Sequence, residues 1–94
     1  MRIFSGIQPT GELHIGNYLG AIRSWLALQN KHDCIFSIVD LHALTASQDP
    51  KSFGQEILEK AIEYMAVGLD PEQCIIFVQS HVKEHTELAW ILNT

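Results

Sequence analysis

Basic residues are scarce in this chain: six Lys and Arg stand against eleven Asp and Glu, leaving a net charge of −5. A free-standing nucleic-acid binder normally carries a basic face, so the balance argues against that class. No apolar run is longer than five residues, as in Cys74–Val78, far short of the roughly 20 that span a membrane. Residues 1–6 hold no long apolar stretch followed by a small-residue cleavage site, which argues against export and for a cytoplasmic protein. With only two cysteines, Cys34 and Cys74, each opening an apolar run, reduced core thiols are expected rather than a disulfide framework or a metal site. Low-complexity segments, internal repeats and flexible linkers are also missing.

What is present fits one small domain. A chain of 94 residues buries roughly 60–65% of its surface on folding, so its core is thin. Apolar residues form 47% and charged residues 18%, which excludes a disordered polar tail.

The pattern along the chain alternates strand and helix. Arg2–Ile7 is a short apolar strand that ends in the loop Gln8, Pro9, Thr10 and Gly11. Ile15, Leu19, Ile22 and Leu26 then mark one stripe of an amphipathic helix, closed by Asn30, Lys31, His32 and Asp33. The run from Cys34 to Val39 and the run Cys74–Val78 both read as strands covered on two faces. Between them lies a helix with Asp49 as its cap, Pro50 at its first position and Gly68 just past its end. Its expected apolar stripe is Phe53, Ile57, Leu58, Ala61, Ile62 and Met65, and its expected solvated face is Glu56, Glu59, Lys60 and Glu63. Asp70 and Pro71 turn the chain into the third strand, and a last helix is expected from near Val82.

Such alternation implies an α/β fold built on right-handed crossovers and a parallel sheet. Three strands are few for a doubly wound domain. The expectation is therefore the N-terminal portion of a larger α/β domain.

Chemistry concentrates at the first strand-to-helix junction. In open α/β sheets, ligands bind beyond the carboxyl ends of the strands, where a helix N-terminus favours phosphate. Gly6 and Gly11 permit close approach there, and Pro9 stiffens the turn. His14 and Asn17 are three apart and share a helix face that Gly16 leaves open. Neither the dinucleotide glycine fingerprint nor a Walker lysine occurs, so spacing alone leaves nucleotide binding and a structural loop both open.

Residues 9–17, ending in His14, Ile15, Gly16 and Asn17, resemble the first signature of the class I aminoacyl-tRNA synthetases. Phe4 to Pro9, then Val39, Asp40, Leu41, His42, Ala43, Leu44 and Thr45, and then Phe77, Val78, Gln79 and Ser80, resemble the tryptophan branch in particular. The resemblance runs along nearly the whole chain. Two positions depart from common patterns: Asn17 replaces the usual final histidine of the class, and His14 stands where the branch often has threonine.

The resemblance implies a partial Rossmann-like parallel sheet, three strands with alternating helices, bearing the HIGH-type nucleotide signature. It implies that Gln8, Pro9, Thr10, His14, Gly16 and Asn17 line ATP, with His14 and Asn17 facing the reacting phosphates. It implies that Phe4, Gly6, Val39 and His42 line an L-tryptophan pocket. The implied reaction is attack of the tryptophan carboxylate on the α-phosphorus of ATP with loss of pyrophosphate, assisted by Mg²⁺, then transfer to tRNA(Trp). The second signature, the acidic residue that recognises the indole N–H and the anticodon-reading region find no counterpart among these residues, so an isolated piece is expected to be a poor catalyst. Two alternatives remain: a tyrosyl-tRNA synthetase segment, and an inert unit that folds and self-associates, as a homodimer or through an unpaired strand edge.

Other constellations have plain readings. His81 and His85 are four apart and resemble half a zinc site, but a solvated helix start is expected. Asp40 and His42 suggest a carboxylate that orients an imidazole, yet both fall just beyond a strand end, where His42 is expected as a pocket wall. Trp25 and Trp90 are expected in helix packing or at a subunit interface.

Overall fold

A computed structural model describes residues 1–9 and 18–94. Its three strands, β1 (Arg2–Ile7), β2 (Asp33–Ile38) and β3 (Cys74–Val78), form one parallel sheet in the order β1-β2-β3. A π-helical turn, Tyr18–Ile22, runs into α1 (Arg23–Leu28). Helix α2 (Asp40–Ala43) follows β2 directly, and α3 (Phe53–Ala66) leads to β3. A 3₁₀ turn, Gln79–His81, precedes α4 (Glu84–Asn93). The α/β class and the alternation read from sequence are those of the molecule.

The strand order determines where the core lies. Two right-handed crossovers that step in the same direction put both connecting helices on one face of the sheet. Ile7, Cys34, Phe36, Ile38 and Cys74 face them and pack with Ile22, Trp25 and Leu26 from one side and Ile57, Ala61 and Tyr64 from the other. The Trp25 ring stands 5.3 Å from Phe36 and 5.9 Å from Tyr64, so this tryptophan serves helix packing.

The opposite face is only partly covered, which corrects the two-sided burial expected of the strands. Phe4 and Ile75 are 59% and 54% exposed on it. Ile35 and Phe77 are half-buried there. An apolar run reports that a strand sits in a sheet, but its second cover has to come from another layer. Helix α4 buries none of its residues, and Trp90 is exposed.

Helix α3 departs from its sequence reading at the start and on its faces. Asp49 does not cap it. Its carboxylate accepts the Lys51 N–H at 3.0 Å, and its carbonyl accepts from Ser52 and Phe53, which makes a turn that delivers the chain to the helix. Ser52 is the N-cap instead, and the helix proper starts at Phe53, three residues past Pro50. Lys60, expected in solvent, is buried, with Nζ 2.9 Å from Glu63 Oε2. Its aliphatic stem lies inside, as long cationic side chains permit. Leu58 and Ile62, expected inside, are instead more than half exposed.

The C-terminal end follows expectation. Gly68 adopts φ +125°, the Leu69 N–H donates to the Tyr64 carbonyl at 3.1 Å, and the Gly68 N–H donates to Met65 at 3.2 Å. This pair of bonds is the Schellman closure, and glycine suits it because a positive φ costs it little.

Cys34 and Cys74 are free, buried and register partners on adjacent strands. Burial pushes the Cys74 thiol above its ordinary range, with Cys34 and Asp70 adding to the rise. Such thiols are poor nucleophiles, in keeping with the reduced core role.

Candidate active site

The carboxyl ends of β1 and β2 are held together beyond the regular strands. The Val39 N–H donates to the Ile7 carbonyl at 2.8 Å, extending the ladder one residue and setting Gln8 beside Val39. A methyl group on Gly6 would lie 3.1 Å from Val39 Cγ1. Glycine at this position therefore lets the Val39 side chain press against the β1 backbone. Pro9 is fully buried and anchors the exit from β1, while Gln8 is exposed.

Phe4 shares the partly covered face with Gly6, and its ring stands 6.4 Å from Phe77, tilted by 50°. His42 is exposed on α2, whose turn is closed by the Ala43 N–H on the Val39 carbonyl at 3.2 Å. Thr45 steadies that turn by donating its hydroxyl to the His42 carbonyl at 2.8 Å. The structure thus brings Gly6 and Val39 into contact, with Phe4 on the same face and His42 one helical turn beyond Val39. Thr10, Gly11, His14, Ile15, Gly16 and Asn17 lie outside the described residues.

Asp40 does not orient His42. Its Oδ1 accepts the Leu41 N–H and the Ser80 N–H, each at 3.0 Å, and the residue is buried. The sequence reading missed the second partner, 40 residues away at the end of β3. The available signal was positional, since Asp40 and Ser80 both fall just past a strand end, where adjacent parallel strands bring chain segments side by side. Beside Asp40 opens a cavity of about 280 Å³ walled by Ile57, Leu58, Val78, Ser80 and His81.

His81 and His85 do not share a helix. His81 ends the 3₁₀ turn, whereas His85 stands on α4 with its ring 5.8 Å from Phe77, edge-on. Among the described residues no group of three or more His, Cys, Asp and Glu is placed to hold a metal ion. Nor, among them, is any helix long and apolar enough to cross a membrane.

Residues 1–94 match the family described as tRNA synthetases class I (W and Y). The chain belongs to that family. Within this class I synthetase group, the tryptophan–tRNA ligase of Caldanaerobacter subterraneus subsp. tengcongensis is 58% identical over 98% of the chain. The chain spans 28% of that relative's length. Among solved structures, the tryptophanyl-tRNA synthetase of Campylobacter jejuni complexed with ADP and tryptophan superposes with a TM-score of 0.93 at 43% identity, covering 99% of this chain and 29% of that one. The tyrosyl-tRNA synthetase of Archaeoglobus fulgidus complexed with L-tyrosine gives 0.75 at 23% identity, covering 87% of this chain and 26% of that one. That likeness shows the shared class I fold, whereas the high identities lie with tryptophan enzymes.

Proposed function

We propose that residues 1–94 form the N-terminal part of the catalytic domain of a tryptophan–tRNA ligase, carrying the ATP loop and one wall of the amino-acid pocket. The observation that carries this reading is the 58% identity to a tryptophan–tRNA ligase across 98% of the chain. It is supported by the Gly6–Val39 contact at the sheet's carboxyl edge, the place where open α/β sheets receive ligands.

In this reading Gln8, Pro9, Thr10 and Gly16 lie along ATP, and His14 and Asn17 meet its phosphates. Phe4, Gly6, Val39 and His42 receive the indole side chain of L-tryptophan, whose ring suits apolar and edge-on contacts. The chain's part in adenylate formation is to orient the carboxylate toward the α-phosphorus and to stabilise charge developing on the phosphates. Mg²⁺ enters with the triphosphate as part of the substrate. Transfer to tRNA(Trp), the homodimeric state and the cytoplasmic location belong to the same proposal.

A chimaera in which residues 1–94 replace the matching segment of the Caldanaerobacter relative tests it. Tryptophan-dependent exchange of pyrophosphate into ATP is expected, with loss of about 100-fold on Asn17→Ala. Exchange that follows tyrosine, or none, overturns the reading. A second reading concerns the chain alone. Both β1 and β3 are sheet edges, and Phe4 and Ile75 are exposed beside them, which favours self-association. A concentration-independent monomer in sedimentation would count against it.

A further inference from the structure

We infer that Asp40 is a positioning residue for the amino-acid pocket: by tying the first turn of α2 to the turn after β3, it determines where Val39 and His42 stand. The inference rests on the tryptophan pocket proposed above and adds to it a residue outside the pocket-lining set.

The geometry is specific. Asp40 is 6% exposed and lies between the two pocket residues in sequence, directly after Val39 and two before His42. A single oxygen, Oδ1, accepts both N–H groups, one from its own helix and one from Ser80. Val39 is held on the other side by Gly6 and by the Ile7 carbonyl. The segment is thus fastened at both ends of the sheet's width, to β1 through Val39 and to the end of β3 through Asp40. Loss of the Ser80 link frees α2 to shift as a unit, because at only four residues the helix has little internal packing to hold it, with Asp40 and Ala43 its only buried members. Displacement of a substrate-orienting group by about 1 Å can cost up to roughly 100-fold in rate. Oδ1 is the working atom, so the acceptor matters and the charge does not.

Two substitutions separate those properties. Asp40→Asn keeps an oxygen at the Oδ1 position and removes the charge. Asp40→Glu keeps the charge and moves the oxygen by one methylene. In the chimaera, Asp40→Glu is expected to raise the KM for L-tryptophan about tenfold with the KM for ATP within about twofold, a difference of about 1.4 kcal/mol in apparent affinity. Asp40→Asn is expected to restore the tryptophan KM to within about threefold of the parent. In the 94-residue chain, hydrogen exchange at the Ser80 amide reads the link without any activity, and protection should survive in Asp40→Asn and fall in Asp40→Glu. If Asp40→Asn is as impaired as Asp40→Glu, or if the KM values for ATP and tryptophan rise together, the positioning role is wrong. If Ser80 loses protection in Asp40→Glu while the tryptophan KM stays at the parent value, the link is structural only and the inference fails. A parent chimaera without tryptophan-dependent exchange removes the pocket reading itself, and is told apart by intact Ser80 protection.

Discussion

Gln29 grips the loop at Asp70 with both ends of its amide: Oε1 accepts the Asp70 N–H at 2.9 Å, while Nε2 donates to the Gly68 carbonyl at 2.9 Å. The residue sits at the C-terminal end of α1 and is buried, so it welds the first crossover to the second. The Cys74 thiol lies 3.8 Å from the same Oε1, at the start of β3.

Gln29→Leu keeps the bulk and removes the part-buried hydrogen bonds to the Gly68 carbonyl and from the Asp70 N–H. A hydrogen bond of this kind contributes about 0.5–1.5 kcal/mol net, so a loss of about 1–3 kcal/mol is expected. Urea unfolding followed by circular dichroism measures it, and a change below about 0.5 kcal/mol would show that the loop re-pairs with solvent.

Gly68→Ala places a Cβ 3.0 Å from Leu26 Cδ2 on a backbone with φ +125°. Strain of this kind costs of order 1–3 kcal/mol. Leu26→Ala combined with Gly68→Ala should relieve the contact but not the backbone term. A double-mutant cycle on thermal unfolding therefore resolves the two, and full additivity would deny the contact.

Burial raises the Tyr64 hydroxyl and the Cys74 thiol above their ordinary ranges, with Glu63 adding to the first and Cys34 and Asp70 to the second. Both groups are neutral when protonated, so the unfolded chain releases these protons at a lower pH than the folded one. Stability is fully present below the unfolded values and falls as pH rises through the folded ones. Unfolding free energies should start to decline as pH rises past the ordinary thiol value of 9.0 and decline further above the ordinary phenol value of 10.0. Cys74→Ala should flatten the lower part of that decline and Tyr64→Phe the upper part. An unchanged slope in both variants would locate the effect elsewhere.

Gly6→Ala puts a Cβ 3.1 Å from Val39 Cγ1, where the valine must give way. In the chimaera the tryptophan KM should rise about three- to tenfold, while stability changes by less than about 1 kcal/mol because Gly6 is at the surface. Steady-state kinetics with each substrate varied in turn checks this, and a rise confined to ATP would move Gly6 from the amino-acid pocket to the nucleotide loop.

Local chemistry made much of this molecule legible. The Gly68 closure, the Asp70 turn and the three strands follow from signals acting within a few residues. Read by itself, the sequence determined the order of the three strands and the longer helices, the α/β class and the family, because periodicity, turn residues and the run from Phe4 to Asn17 are local properties of the chain. The short helix Asp40–Ala43 went unread. Tertiary structure decided the rest. Whether Leu58 or Lys60 faces inward, which side of the sheet is covered, and which N–H the Asp40 carboxylate accepts depend on how crossovers stack on strands 30 to 40 residues apart. The Asp40–Ser80 link left only a positional signal in the sequence, two residues past each strand end, and parallel strands bring those ends together only after the whole sheet has formed.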